Sequence, residues 1–199
     1  MKLFGITGNI GCGKSTVCKL LSKYNDIVII DCDQIAKEII ASSTHRQDLI
    51  RILGIEIYPH GQVDFQSIGK VIFSDDKKKR LLEEFVHPHV WKAVEERVTL
   101  VHPSFICIVE SALIFETKSE ERFNGVVAVV CDDAEQFRRL ETNRKMGREE
   151  YYSRQSHQLP SSLKESRAQF VIDTNCSLKE LEQRVQNLYH NLKTRKAEL

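Results

Sequence analysis

K-L-F-G-I-T-G-N-I-G-C-G-K-S-T, residues Lys2–Thr16, sets a short apolar run directly against a segment crowded with glycine. Beyond it Val17, Leu20, Leu21 and Tyr24 recur at i, i+3, i+4 and i+7, the spacing of one helical face. The stretch therefore reads as strand, glycine loop, helix. Within it Gly8, Gly13, Lys14 and Ser15 satisfy the phosphate-loop pattern G-x-x-x-x-G-K-[ST]. In such a loop successive backbone N–H groups, unhindered by side chains, surround an anion at a helix N-terminus. Lys14 then reaches the β- and γ-phosphates, and the Ser15 hydroxyl holds Mg²⁺. The dinucleotide fingerprint G-x-G-x-x-G fails, because after Gly11 and Gly13 the position of its third glycine is Thr16.

Working outward, Ile27–Ile30 (IVII) is a β-branched run without polar alternation, as expected of a strand covered on both faces of a parallel sheet. It ends at Asp31-Cys32-Asp33. Phe105–Val109 (FICIV), Val126–Cys131 (VVAVVC) and the shorter Phe170–Ile172 (FVI) read the same way, each followed by a polar turn and helix-like sequence. The order predicts an α/β, three-layer P-loop fold with about five parallel strands. Residues 1–33 and 104–199 form its core, with a short lid at 138–160. Residues 34–103 are too many for one crossover helix and predict a helical insert. Inside it, Tyr58-Pro59-His60-Gly61 reads as a turn. Asp75–Val101 places Leu81, Leu82, Phe85, Val86, Val90, Val94 and Val98 on a helical face interrupted at Pro88, where proline frees the Glu84 carbonyl. Ser177-Leu178-Lys179-Glu180 is a capping box opening a last helix, and the tail 194–199 is expected to fray.

The chain of 199 residues suffices for one core with an inserted subdomain. Lys and Arg total 29 against 28 Asp and Glu, and a net charge of +1 gives no reason to expect a nucleic acid or a membrane as partner. Six cysteines (Cys12, Cys18, Cys32, Cys107, Cys131, Cys176) form no CxxC pair and no Cys/His metal spacing, so they read as reduced thiols of a cytoplasmic protein. Neither a signal peptide nor a membrane span is expected, the longest apolar run being Val126–Cys131. A monomer or a weak homo-oligomer is expected.

A GTPase would carry D-x-x-G and N-K-x-D, and a transporter-type ATPase L-S-G-G-Q; none occurs. A small kinase or a nucleotide-gated binding protein remains. A kinase must keep water from the transferring phosphoryl group, which calls for a mobile basic segment. Arg138, Arg139, Arg144, Lys145 and Arg148 supply one, with Gly147 as a hinge, although a mixed charge run by itself is a solvated helix face. Asp33, at the carboxyl end of the second strand, is placed to take a proton from an attacking hydroxyl or to bind Mg²⁺, while Asp31 or Asp33 also suits a helix N-cap.

The ordered set of segments resembles the dephospho-coenzyme A kinase family, the last enzyme of coenzyme A biosynthesis. The resemblance rests on Gly8–Thr16, on I-D-C-D-Q-I-A (Ile30–Ala36), on G-Q-V-D-F-Q-S-I-G-K-V-I-F (Gly61–Phe73) and on V-H-P (Val86–Pro88). It continues through V-E-S-A-L-I-F-E (Val109–Glu116), the Arg139–Arg148 lid, Gln158 and F-V-I-D-T-N (Phe170–Asn175). It implies ATP-dependent, Mg²⁺-dependent phosphorylation of the ribose 3′-hydroxyl of dephospho-CoA, with CoA bound by the insert. On that resemblance Gly11, Cys12, Gly13, Lys14, Ser15 and Thr16 form the ATP phosphate site, with Ser15 on the metal. Asp33 is the general base, Arg139 the lid arginine on the phosphates, with Arg144 and Arg148 beside it. His87, Glu110 and Leu113 join Asp33 around the acceptor; read alone, His87 beside a proline is a core histidine. The chain departs from the family at Cys12, where a small Ser or Ala is usual and where a thiol becomes a candidate for oxidation near ATP. It departs also at Ala112, in place of a proline, at Phe65, at Gln169 and at Thr174-Asn175-Cys176.

Overall fold

In the computed structural model residues 1–195 are described, apart from the His60 side chain. In chain order the elements begin β1 (Lys2–Thr7), α1 (Lys14–Leu21), β2 (Ile27–Asp31), α2 (Cys32–Ala41), α3 (Arg46–Leu53), α4 (Phe65–Ser74) and α5 (Asp76–Thr99). There follow β3 (Ile106–Glu110), β4 (Gly125–Val130), α6 (Asp133–Arg144), α7 (Arg148–Gln155), α8 (Ser161–Arg167), β5 (Phe170–Asp173) and α9 (Leu178–Thr194). Of the tail expected to fray, Thr194 ends α9 and 196–199 lie outside the described residues.

The five strands form one sheet in the order β2-β3-β1-β4-β5, and β1 pairs in parallel with both β3 and β4. Each expected strand is present, displaced by at most one residue at its ends. The uniform apolar runs are explained by alternation. Val127 and Val129 join Phe4, Ile6, Val17, Leu21, Val185 and Leu188 in one buried cluster, while Val126 joins Ile114 and Phe115 in another. Both sets are removed from water, so neither needs a polar partner. The capping box closes as expected: the Ser177 hydroxyl accepts from the Glu180 N–H and the Glu180 carboxylate accepts from the Ser177 N–H. The α1 face is one turn shorter than its periodicity, because α1 stops at Leu21. Tyr24 instead stacks on Tyr189 of α9 at 3.8 Å between ring centroids.

The chain divides into two compact units, Met1–Ile30 with Val101–Leu199, and Asp31–Leu100. The second has its own core. Along α5, Leu82, Val86, Val90 and Val94 are buried at steps of four, together with Ile35 of α2, Leu49 and Leu53 of α3 and Ile68 of α4. Leu81, expected on the same face, is exposed, since it lies a hundred degrees round the helix from Leu82. Pro88, where a kink is expected, lies inside α5, which runs on either side of it as one element. One carbonyl beyond Glu84, the His89 ring is hydrogen-bonded to the Phe85 oxygen at 2.7 Å.

Candidate active site

The carboxyl end of the central strand β1 opens into the glycine loop, the position at which open parallel sheets bind ligands. Gly13 caps α1 at φ 91°, a left-handed conformation that costs glycine nothing. Gly8 takes φ 152°, and a Cβ there would stand 2.3 Å from the Val129 oxygen and 2.7 Å from Cys12 Sγ. The loop is thus pressed against β4, and only glycine permits it. Among the described residues no acceptor meets the N–H groups of Gly11, Gly13, Lys14 and Ser15. They form a cradle of donors at the positive end of a helix. Lys14 donates from Nζ to the carbonyl oxygens of Gly8 at 2.7 Å and Asn9 at 3.4 Å, so its ammonium is folded over the loop. Ser15 and Thr16 are exposed on the first turn of α1. Cradle, ammonium and hydroxyl fit a polyphosphate with its cation. Among the described residues no His/Cys/Asp/Glu group could hold a metal by itself, so a cation here would share phosphate oxygens with Ser15.

Cys12 does not fit its expected vulnerability. Its side chain is 1% exposed and packed in the sheet cluster, so an oxidant does not reach the thiol. What Cys12 offers the site is backbone. Its carbonyl accepts from the Thr174 hydroxyl at 2.8 Å, and that hydroxyl accepts from Arg139 Nη1 at 2.9 Å while Arg139 Nη2 donates to the Thr174 oxygen at 2.7 Å. Thr174 is 2% exposed at the end of β5. The departure from the family at this position therefore ties Arg139 to the phosphate loop. Arg139 Nε also donates to Glu135, one helical turn back, and hydrogen bonds from Arg138 first and Arg139 second pull the Glu135 carboxyl down to about 2.

The other lid arginines lie apart. Arg148 stacks over the Phe137 ring at 5.1 Å, and Arg144 is exposed at the end of α6. Between α6 and α7 a small core of Leu140, Met146 and Tyr151 receives Ile10 of the loop, and burial pushes the Tyr151 hydroxyl up to about 12. After α7, Gln158 Oε1 accepts from the Ile10 N–H at 2.9 Å.

At the neighbouring strand end, Glu110 closes β3 in register with Ile6, and the Ser111 N–H donates to the Ile6 oxygen at 3.0 Å. Leu113 follows in the turn. Its neighbour Ala112, where the family has proline, presents a carbonyl that accepts from the Thr7 hydroxyl at 3.1 Å. Gln169, before β5, accepts at its side-chain oxygen from the Val126 N–H at 2.7 Å.

In the second unit Asp31 and Asp33 have separate roles. Asp31 is the N-cap of α2, its Oδ1 accepting from the N–H groups of Asp33 at 2.8 Å and Gln34 at 3.1 Å. Asp33 stands exposed in the first helical turn, outside the cap. His87 is partly buried in α5, whereas its neighbour His89 contacts Phe85 and the His45 ring. Thr174, Glu135 and Gln158 are the site neighbours that the residues alone did not assign a role. Only the Glu135/Arg139 spacing of four carried a readable signal.

A central β1 between β3 and β4, a phosphate loop opening α1 and an arginine docked beside it define a P-loop kinase. Shikimate kinase from Acinetobacter baumannii shares this fold at 14% identity and a TM-score of 0.54, covering all of this chain and 96% of its own. The sequence model of the dephospho-CoA kinase family matches residues 2–180, and the chain belongs to that family. Dephospho-CoA kinase of Geobacter sulfurreducens is 32% identical over 193 residues, 95% of this chain and 98% of the relative. A crystal structure of a protein from Thermus thermophilus matches with a TM-score of 0.82 at 31% identity, over 96% of this chain and 97% of that one.

Proposed function

We propose that the chain transfers the γ-phosphoryl group of ATP to the ribose 3′-hydroxyl of dephospho-CoA, yielding coenzyme A and ADP. Membership of the family supports the reaction. The observation in the molecule that carries it is the donor cradle of Gly11, Gly13, Lys14 and Ser15 with the Lys14 ammonium folded above it. The phosphates bind these amides, and Lys14 leaves the Gly8 carbonyl to follow charge onto the β- and γ-oxygens. Mg²⁺, held by Ser15, supplies neutralisation of the phosphate oxygens when bound. Asp33 accepts the proton as the 3′-oxygen forms its bond to phosphorus and the bridging oxygen leaves with ADP. Its carboxylate is available because Asp31 satisfies the cap. Arg139 stabilises the transferring group, with Arg144 and Arg148 completing a lid over 138–160. His87, Glu110 and Leu113 contact the acceptor, and residues 34–103 bind its CoA portion. The protein acts in the cytoplasm as a monomer or weak homo-oligomer, and no described helix is long and apolar enough to cross a membrane.

The test is to incubate the protein with ATP and Mg²⁺ and, in turn, dephospho-CoA, adenosine, AMP or gluconate, then weigh the products. A gain of one phosphoryl group on dephospho-CoA is expected. Its absence, or a gain on another acceptor alone, overturns the reading.

A further inference from the structure

Lys164 is a lysine in α8 whose side chain is 1% exposed, and none of the steps above uses it. Burying an ammonium is costly unless it is paired and hydrogen-bonded. Its Nζ stands 2.7 Å from Glu116 Oε1 and donates to the Ala112 carbonyl at 2.8 Å. Each of these partners has a second bond that leads to the phosphate loop. The Ala112 oxygen also accepts from the hydroxyl of Thr7, the residue at which β1 becomes the loop. Glu116 Oε1 also accepts from the Leu159 N–H at 2.8 Å. Leu159 in turn accepts at its carbonyl from Asn9 Nδ2 at 3.3 Å, and the adjacent Gln158 accepts from the Ile10 N–H. Asn9 is itself 2% exposed, so its amide has no water with which to replace that partner. Burial pulls the Lys164 ammonium down from its ordinary value and Glu116 opposes the fall.

We propose that the buried Lys164–Glu116 ion pair is a positioning device for the phosphate loop: by fixing Ala112 and Leu159 it fixes Thr7, Asn9 and Ile10, and so the aim of the donor cradle at ATP. Lys164 touches no reacting atom. Its charge acts through Glu116 and two backbone carbonyls, which couples the segment after α7 to the loop's shape. The proposal rests on the reading that the cradle binds ATP phosphates, but not on the identity of the acceptor.

The test measures binding of a non-hydrolysable ATP analogue with Mg²⁺ by calorimetry, alongside the KM of each substrate and the melting temperature. Lys164→Met is expected to weaken analogue binding at least about tenfold, the scale of losing a partner to a buried charge spread over the loop. Because the Ala112 carbonyl lies between Glu110 and Leu113, the KM for dephospho-CoA is expected to rise as well, and the analogue affinity, which involves no acceptor, isolates the effect on the loop. Lys164→Arg, which keeps the charge, should recover most of the affinity. Should Lys164→Met not fold, Glu116→Gln replaces it: the amide oxygen still receives the Leu159 N–H while the charge that pairs Lys164 is gone, and a loss of analogue affinity in the same direction is expected. Leu192→Ala, a buried position near the end of α9 that takes part in none of these bonds, serves as the control for a general loss of stability. Analogue affinity within twofold of the parent in either folded variant, or an equal loss in Leu192→Ala, overturns the proposal. If the parent binds the analogue yet does not phosphorylate dephospho-CoA, the functional reading fails while this measurement still decides the positioning role.

Discussion

Asp31 and Asp33 are two carboxylates of one short segment, and the fold separates them by geometry. Asp31 is engaged by two amides of α2, while Asp33 is turned outward in the first helical turn. Asp33→Asn, which preserves shape and removes the basic oxygen, should lower kcat by on the order of 10²–10⁴ with ATP affinity little changed. Lys14→Ala should damage both if, as proposed, its ammonium meets the bound phosphates as well as the transition state; steady-state kinetics with a nucleotide-binding measurement separates the two patterns. A near-normal kcat in Asp33→Asn removes its role as base. Cys12 illustrates what the sequence could not give. A thiol beside phosphates reads as exposed, but the tight apposition of Gly8 to β4 turns Sγ into the core. In the native protein a thiol reagent should label the partly exposed Cys176 first and Cys12 only as the molecule unfolds. Mass spectrometry of the labelled peptides checks the order, and early modification of Cys12 contradicts its burial.

At the scale of elements, the strands were legible because a run of β-branched residues has few other uses, and the last helix because its cap is written in four residues. The α5 face was legible only in part. Seven apolar positions over two dozen residues give more than one stripe, and the choice between Leu81 and Leu82 is made by the neighbours α2, α3 and α4. Leu82→Ala should cost about 2–5 kcal/mol, whereas Leu81→Ala should change stability by no more than about 0.5 kcal/mol. Urea unfolding distinguishes them, and equal costs refute the assigned face. In α6 the periodic charges that read as a solvated face prove to be a built pair of contacts on Glu135. The Glu135 carboxyl falls to about 2 in the folded protein from an ordinary 4.5, so its contribution to stability is present above pH 4.5 and is lost as the pH falls through about 2. Glu135→Gln should therefore flatten the acid limb of a stability–pH curve over that interval. An unchanged limb excludes the carboxylate as its source.

For the whole molecule, the phosphate loop announced one half of the chemistry and left the other to residues far along the chain. Thr174 is separated from Cys12 by most of the sequence, yet the sheet order brings β5 one strand from β1's partner β4 and so supplies the hydroxyl on which Arg139 rests. No local pattern encodes a contact that exists only once the strands are ordered. The division at Asp31–Leu100 has a measurable consequence for ligands. If the phosphates of ATP bind the glycine loop, a nucleotide at about a hundred times its Kd adds about 2.7 kcal/mol to stability, which for a chain of this size raises the melting temperature by about 5–10 °C. If Ser15 shares a Mg²⁺ ion with the phosphates as proposed, chelating Mg²⁺ should shrink that shift, because the polyphosphate then meets the cradle without it. Hydrogen exchange assigns each gain to a place: ATP should slow the amides of Gly11–Ser15, whereas dephospho-CoA should slow amides within 34–103. Protection by dephospho-CoA confined to the first unit would remove the acceptor-binding role of the insert while leaving the nucleotide site intact.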